Sequence, residues 1–107
     1  MTNTASAPGD WEEAGPGVRR RILGHVPEMM MVEVAFETGA IGPPHAHPHT
    51  QSSYIAEGRF MVTIDGVTQL LATGQVFVVA PNRQHGVVAV ESGRLIDAFA
   101  PRRDDFL

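Results

Sequence analysis

Turn residues recur at short intervals along this chain, and they limit the length of every regular element. The segment YIAEGRFMVTIDGVTQLLATG (54–74) has two apolar runs separated by Asp65 and Gly66, a pattern typical of a β-hairpin. Gly74 marks a further turn, and the next apolar run, QVFVVAP, ends at Pro81. MMMVEVAFE, HGVVAV and RLIDAFA have the composition of further strands, and helical periodicity is almost absent. The pattern predicts an all-β fold of short antiparallel strands, arranged as a sandwich or a barrel.

The size and composition of the chain favour one globular domain. It has 107 residues, of which 43% are hydrophobic and 19% are charged. Residues 1–10, MTNTASAPGD, are small and polar, so we expect a disordered tail there and a single domain over residues 11–107. This start has neither the basic flank nor the apolar core of a signal peptide, and no apolar run is long enough to span a bilayer. We therefore expect a cytoplasmic protein with no membrane partner.

The charge balance argues against nucleic acid as a partner, because the formal net charge is −4. All 8 basic residues are arginines, whose planar fork suits carboxylate recognition. Arg19, Arg20 and Arg21 form one cluster, which we expect on a solvated strand edge. Arg102 and Arg103 form a second cluster near the end of the chain.

Three of the 5 histidines lie within HAHPH, residues 45–49. In an extended strand His45 and His47 project to the same side, and the flanking prolines restrict their backbone. Gln51 follows closely enough to bring a side-chain oxygen to the same point, and His85 lies in PNRQHG after a further strand. An H-x-H pair alone is more often incidental, but imidazoles with one oxygen donor form a plausible shell for a divalent metal ion. With no cysteine in the chain, a thiolate site is excluded.

Both histidine segments, with the glycines and the proline around them, resemble the two motifs of the cupin superfamily. The residues at first-motif positions are Gly39, His45, His47, Gln51 and Gly58. Those at second-motif positions are Gly74, Pro81 and His85. The resemblance spans residues 17–100 and implies a single-domain jelly-roll β-barrel with the metal at its mouth.

Two positions depart from the usual cupin pattern. Gln51 stands where a glutamate is usual, and Ala89 stands where an asparagine is often found. Without a carboxylate ligand the ion keeps its full charge, which makes it a better Lewis acid and a more weakly held ion. It also lacks the carboxylate that non-haem iron oxygenases commonly use, so an oxygenase is disfavoured.

Three stretches are similar to the KdgF-type pectin-degradation cupins, namely GVRRRILG, HPHTQ and the tail DAFAPRRDDFL. These are enzymes of uronic-acid breakdown, and the resemblance implies three histidines and a glutamine as metal ligands. By position the ligands are His45, His47, Gln51 and His85. The resemblance also places Asp97, Phe99 and Arg103 in the pocket, together with Ser53, where the enzyme can carry glutamine.

The residues themselves agree in part with these assignments. Asp97 and Phe99 share one face of a strand by alternation, and a buried aspartate is costly unless it is paired or functional. The alternatives are an outward face for Asp97 and a solvated tail charge for Arg103. His49 is expected to flank the site without binding metal, and His25 to be a structural or surface residue.

The resemblance implies a metal-dependent conversion of 4,5-unsaturated uronic acid monosaccharides, from pectin or alginate, to linear 4-deoxy-5-keto uronates. The metal ion would be nickel, zinc, manganese or iron. Asp97 would transfer protons, Arg103 would hold the substrate carboxylate, Phe99 would line the ring, and Ser53 would contact the substrate. Another metal-dependent isomerase or an oxygenase on the same fold, or a non-enzymatic ligand-binding module, remains as an alternative. We also expect a homodimer, because the strand containing VRRRIL would expose an edge if left alone.

Overall fold

A computed structural model describes residues 7–107, and within them regular structure is almost entirely β. The only helical element of this range is a single 3₁₀ turn near the C-terminus. The strands are β1 (Glu12–Gly15), β2 (Val18–Val26), β3 (Met29–Phe36), β4 (Ile41–His45), β5 (Thr50–Glu57), β6 (Arg59–Ile64), β7 (Val67–Ala72), β8 (Val76–Val79), β9 (His85–Ala89) and β10 (Gly93–Ala100), followed by the 3₁₀ turn η1 (Asp104–Phe106).

The strands form two antiparallel sheets. One has the order β1-β2-β3-β10-β5-β8, and the other has the order β4-β9-β6-β7. The last strand, β10, therefore lies between β3 and β5, far from its neighbours in sequence. This arrangement confirms the predicted all-β jelly-roll fold, with one refinement: within residues 7–107 no ladder of strand pairing closes the two sheets into a continuous barrel.

The predicted hairpin is present between β6 and β7. Ile64 and Val67 are register partners, and Asp65 and Gly66 occupy the turn with φ values of 49° and 81°. Positive φ at both central positions is what a two-residue type I′ turn requires, and Asp-Gly is a favoured pair for it. The sequence thus determines the register of this hairpin locally.

The core lies between the two sheets and follows from the alternation of apolar residues along the strands. Phe60 and Ile55 are fully buried, and the rings of Phe36 and Phe60 meet edge to face with centroids 5.2 Å apart. Each large side chain buried in this way contributes about 1.5–3 kcal/mol of transfer free energy. A second apolar cluster, formed by Met30, Val32 and Phe99, packs nearer to the C-terminal turn and supports one wall of the site described below.

The N-terminal strand that was expected to expose an edge is covered, so that premise was wrong. β1 pairs with the first part of β2, with Glu12 opposite Arg20 and Glu13 opposite Arg19. Beyond that pairing, the backbone N–H of Gly9 donates a hydrogen bond to the carbonyl of Ile22 at 2.8 Å. The preceding chain therefore covers the outer edge of β2 from Val18 to Ile22.

Of the tail predicted over residues 1–10, residues 1–6 lie outside the described residues. Residues 7–10 are exposed and precede β1 without regular structure. In the part of the chain that the structure describes, no helix has the length and apolar character needed to cross a membrane.

Candidate metal centre and adjoining cavity

Three histidines meet at one end of the sandwich. His45 is the last residue of β4, and it is the register partner of His85, the first residue of β9. His47 follows in the short connection to β5. One ring nitrogen from each of the three side chains lies within 4.8 Å of the other two. The two segments predicted to form one site therefore do come together.

Backbone carbonyls orient all three imidazole rings. In each ring Nδ1 lies within hydrogen-bond distance of a carbonyl oxygen. The pairs are His45 with Pro43 (3.0 Å), His47 with His49 (3.1 Å) and His85 with Arg83 (2.9 Å). Because a carbonyl only accepts, Nδ1 carries the proton, and the lone pair of the neutral ring lies on Nε2. Such contacts fix the tautomer and the direction of a metal-binding histidine.

Gln51, on β5, brings a side-chain oxygen to the point where the histidines meet. Its Oε1 lies 2.9 Å from Nε2 of His47 and 3.1 Å from Nε2 of His85. The amide cannot simply be flipped, because its Nε2 donates a hydrogen bond to Oγ of Ser53 at 2.9 Å. That hydroxyl in turn donates to Oδ1 of Asp97 at 2.6 Å. The amide oxygen of Gln51 is thereby held toward the histidines.

This donor set fits a divalent cation. Burial lowers the pKa of both His47 and His85, so the two rings are neutral near pH 7. Two imidazole lone pairs and one amide oxygen then face one another at hydrogen-bond distance with no proton between them. Such an arrangement is repulsive on its own, and a cation placed among the donors relieves the repulsion. Neutral nitrogen donors with one oxygen suit first-row transition metals.

A cavity of about 340 Å³ adjoins the histidines. All the predicted site residues line it except His47 and Ser53. The metal-ligand candidates His45 and His85 come from the smaller sheet, whereas Asp97 and Phe99 lie on β10 of the larger sheet. The cavity therefore lies between the sheets, and its size is within the usual range for small-molecule pockets.

Asp97 and Phe99 share one face of β10, as the alternation predicted, and that face points inward rather than outward. Asp97 is 7% exposed and Phe99 is 3% exposed, while Ala98 between them faces the other side of the sheet. Burial raises the pKa of Asp97 to about 6, although the hydrogen bond from Ser53 and the charge of Arg103 oppose that rise. A carboxyl group of this kind changes its protonation near neutral pH, which suits proton transfer.

Ser53 lies behind the cavity wall. Its side chain is fully buried between Gln51 and Asp97, and it contacts both of them. The network Gln51–Ser53–Asp97 thus links a candidate metal ligand to the buried carboxyl group.

Arg103 reaches the cavity but is already paired. Its Nε and Nη2 donate to the two carboxylate oxygens of Asp105 at 3.0 and 2.8 Å. Its guanidinium also lies 5.0 Å from the ring centroid of Phe99 and 4.3 Å from that of Phe106. The side chain is therefore held rigidly, and it is not the solvated tail charge that was the alternative.

The lining residues that the sequence reasoning did not assign to the site include Arg20, Asp105 and Phe106. The solvated edge expected for the arginine cluster is wrong for Arg20, whose guanidinium lies 3.8 Å from the ring centroid of Phe106. Its neighbours Arg19 and Arg21 stack on Trp11 instead. Strand alternation already separates the middle arginine from the outer two, but it does not reveal which side faces a cavity.

The remaining histidines lie outside the cluster of three. The ring of His49 is 5.4 Å from that of His47, and its buried Nδ1 has no hydrogen-bond partner among the described residues. His25 is exposed on β2, where its Nδ1 lies 3.5 Å from a guanidinium nitrogen of Arg102.

Comparison with known proteins agrees with this fold and site. Residues 32–99 match the family model described as a cupin domain. The chain is 48% identical over 99 residues to the pectin degradation protein KdgF of Dickeya dadantii (strain 3937), with 91% of this chain and 90% of the relative covered.

Two solved structures extend the likeness to three dimensions. The structure of KdgF from Halomonas sp. has a TM-score of 0.88 and 43% identity, covering 92% of this chain and 91% of the other. An RmlC-like cupin from Shewanella frigidimarina NCIMB 400 has a TM-score of 0.90 and 44% identity, covering 92% and 89%. The resemblance to cupins and to KdgF proteins, first drawn from short motifs, is confirmed over most of the chain.

Proposed function

Since the chain belongs to the cupin family, we propose that it is a metal-dependent enzyme acting on 4,5-unsaturated uronic acid monosaccharides from pectin or alginate. It converts them to linear 4-deoxy-5-keto uronates by ring opening and tautomerisation. The likeness to KdgF, a pectin degradation protein, supports the substrate class. The observation that carries the proposal is a carboxyl-free metal-ligand set beside a buried carboxyl group in one small cavity.

His45, His47, Gln51 and His85 would hold the ion, which would be nickel, zinc, manganese or iron. When bound, it supplies a Lewis acid that polarises a sugar oxygen. Because all four donors are neutral, the ligands leave the charge of the ion undiminished.

Asp97 moves the protons. The substrate has a double bond between C4 and C5, and its ring oxygen joins C5 to the hemiacetal carbon C1. Asp97 takes the proton from the C1 hydroxyl as the bond between C1 and the ring oxygen breaks, which leaves an aldehyde at C1 and an enolate at C5. The proton then goes to C4, and C5 becomes a ketone. Substrate and product are isomers, so the sequence balances without an oxidant or reductant.

The elevated pKa of Asp97 suits both steps. At a pKa of about 6 the carboxylate is present at neutral pH to accept the first proton, and its conjugate acid is strong enough to return it. Gln51 does not serve as the base, because an amide has no useful basicity. Ser53 is fully buried, so we propose that it supports the substrate site by holding Asp97 rather than by direct contact.

Phe99 and Arg103 shape the pocket around the sugar. The ring of Phe99 provides an apolar wall, and it also packs edge to face on His47 with centroids 5.7 Å apart. Arg103 was predicted to hold the substrate carboxylate. With Nε–H and one N–H of Nη2 donated to Asp105, the two N–H groups of Nη1 and the second N–H of Nη2 remain for that purpose. Because Asp105 offsets the charge of Arg103, this arginine attracts a substrate carboxylate less strongly than an unpaired arginine does.

We also propose a homodimer, although β2 is not the edge that forms it. β8 ends the larger sheet, and its outward residues Val76 and Val78 are 51% and 61% exposed. Tyr54, the register partner of Val76, is 45% exposed on the same face. An apolar face at an open sheet edge favours pairing with a second copy. The cytoplasmic location remains a prediction.

Product identification tests this function. Metal-loaded protein is incubated with the unsaturated monosaccharide released by an alginate or pectate lyase, and the product is followed by proton NMR with oxygen uptake recorded in parallel. We expect a linear 5-keto acid at a rate above that of the protein-free reaction and no oxygen consumption. Stoichiometric oxygen uptake would support an oxygenase instead.

A further inference from the structure

We propose that Arg20, on β2, binds the carboxylate of the sugar acid and is the main determinant of selectivity for acids over neutral sugars. This inference rests on the proposed function, because it names how that same pocket recognises its substrate. It assigns to Arg103 the different task of shaping the wall on which Arg20 rests.

Arg20 shares one cavity with the candidate metal centre. It belongs to the larger sheet, and it lines the cavity together with His45 and His85 from the smaller one. A substrate whose carboxylate meets Arg20 therefore occupies the cavity that His45, His85 and Asp97 also line. The remainder of the sugar is then available to the metal centre and to Asp97.

Arg20 is the cavity arginine that has no anionic partner. Four residues with full charges line the cavity, namely Arg20, Asp97, Arg103 and Asp105. Arg103 and Asp105 neutralise each other through two hydrogen bonds, and Asp97 accepts its hydrogen bond from Ser53. Within residues 7–107 Arg20 forms no ion pair. Asp10 and Glu12 border a neighbouring cavity with Arg20, but neither pairs with it.

The guanidinium of Arg20 is also preorganised. Phe106 lies between two arginines, with Arg20 at 3.8 Å and Arg103 at 4.3 Å from its ring centroid. A guanidinium stacked on a ring keeps its N–H groups available at the edge of its plane, and these match a carboxylate in a bidentate fashion. Because stacking has already restricted the long side chain, less conformational entropy is lost on binding.

The test compares Arg20→Gln with Arg19→Gln. The control removes the same charge from the adjacent residue, which faces the other side of β2 and stacks on Trp11. We expect Arg20→Gln to raise KM for the unsaturated uronate by about tenfold to a hundredfold, the usual worth of a charge-assisted hydrogen bond. We expect kcat to change little, and Arg19→Gln to behave as the parental protein.

Charge selectivity distinguishes a loss of carboxylate recognition from a general disruption of the pocket. Inhibition by galacturonate and by galactose is measured for each protein, and calorimetry with the same two sugars provides a readout that needs no turnover. Loss of preference for galacturonate in Arg20→Gln alone supports the inference, whereas equal weakening of both sugars overturns it. Arg20→Lys, which keeps the charge without the fork, should retain part of the preference, and it replaces Arg20→Gln if that variant does not fold.

The outcomes distinguish this inference from the proposed function. If the parental protein converts unsaturated uronates and Arg20→Gln does so with unchanged KM, the inference is wrong while the function stands. If the parental protein does not convert them, the function is wrong, and calorimetry with galacturonate decides the inference alone. A parental protein that binds galacturonate no better than galactose contradicts it.

Discussion

The amide oxygen of Gln51 lies 2.9 Å from Nε2 of His47, and neither atom has a hydrogen to share with the other. The Nδ1 contact of the histidine with the His49 carbonyl assigns the ring proton, and the Ser53 hydroxyl assigns the amide orientation. Two acceptors held in this way favour a cation between them, and the four proposed ligands would bring no charge of their own. The affinity of the site for metal and the rate of the reaction should both depend on the absence of charge on the ligands.

Replacing Gln51 by glutamate should therefore tighten metal binding and slow the reaction. The carboxylate would offset part of the charge of the ion and lose the hydrogen bond that the amide donates to Ser53. We expect metal affinity to rise at least tenfold in chelator competition and kcat to fall. Gln69→Glu, at an exposed position of β7, adds the same charge away from the site and should change neither quantity. Weaker metal binding in Gln51→Glu would contradict the assignment of this ligand.

The histidine ligands are tested by metal content. Removing one donor from a four-donor set strongly reduces affinity, so His47→Ala combined with His85→Ala should abolish binding. Metal analysis of the purified proteins is the measurement, and His25→Ala, at an exposed residue outside the cluster, should keep the parental stoichiometry. One equivalent of metal in the double variant would show that the ion binds elsewhere.

Local sequence patterns were sufficient for much of this description. The hairpin at Asp65 and Gly66 depends on backbone conformations that those two residues favour, and the shared face of Asp97 and Phe99 follows from strand alternation. The spacing of the histidines likewise predicted a convergence that the pairing of β4 with β9 produces. Each of these features is set over a few residues or by one strand pairing.

The part that could not be predicted depends on distant packing. The contact of Arg20 with Phe106 forms because the C-terminal turn folds back against β2. Arginines occupy both sides of β2 at this point, so hydrophobic alternation gave no signal for the inward side. Arg103 precedes the 3₁₀ turn and pairs with Asp105 inside it, and no periodic pattern in the sequence predicts that geometry.

The buried carboxyl of Asp97 should leave a signature in the pH dependence of stability. Its pKa is raised from 3.8 to about 6 in the folded protein, so its contribution to stability is fully present below the lower value and is lost as pH rises through the higher one. Between about pH 8 and about pH 5, the unfolding free energy of the metal-free parental protein should rise by about 1–1.5 kcal/mol relative to that of Asp97→Asn.

Denaturant titrations at the two pH values measure this difference, and the comparison with the variant cancels the titration of the histidines. Asp65→Asn, in the exposed hairpin turn, should follow the parental protein, since asparagine also accepts a positive φ there. A parental protein that loses stability relative to Asp97→Asn on acidification would show that the pKa of Asp97 is lowered instead.

Oligomeric state is tested by light scattering at micromolar concentration. We expect twice the chain mass of 11.5 kDa for the parental protein. Val78→Asp should give the monomer mass, because it places a charge in the proposed apolar interface on β8. Val67→Asp, which alters a residue of similar exposure on β7 of the other sheet, should remain dimeric. A parental mass of 11.5 kDa refutes the dimer.

The most direct test of the account is the ultraviolet absorbance of the double bond in the unsaturated uronate, because that bond disappears in the reaction. Its decay is followed with metal-loaded protein, with chelator-stripped protein and with the stripped protein reloaded, and Asp97→Asn is run in its metal-loaded form. We predict rapid decay with loaded and reloaded protein, the protein-free rate with stripped protein, and a kcat at least a hundredfold lower in Asp97→Asn with its metal retained. Decay at the parental rate in both stripped protein and Asp97→Asn would contradict a metal-dependent reaction that uses Asp97.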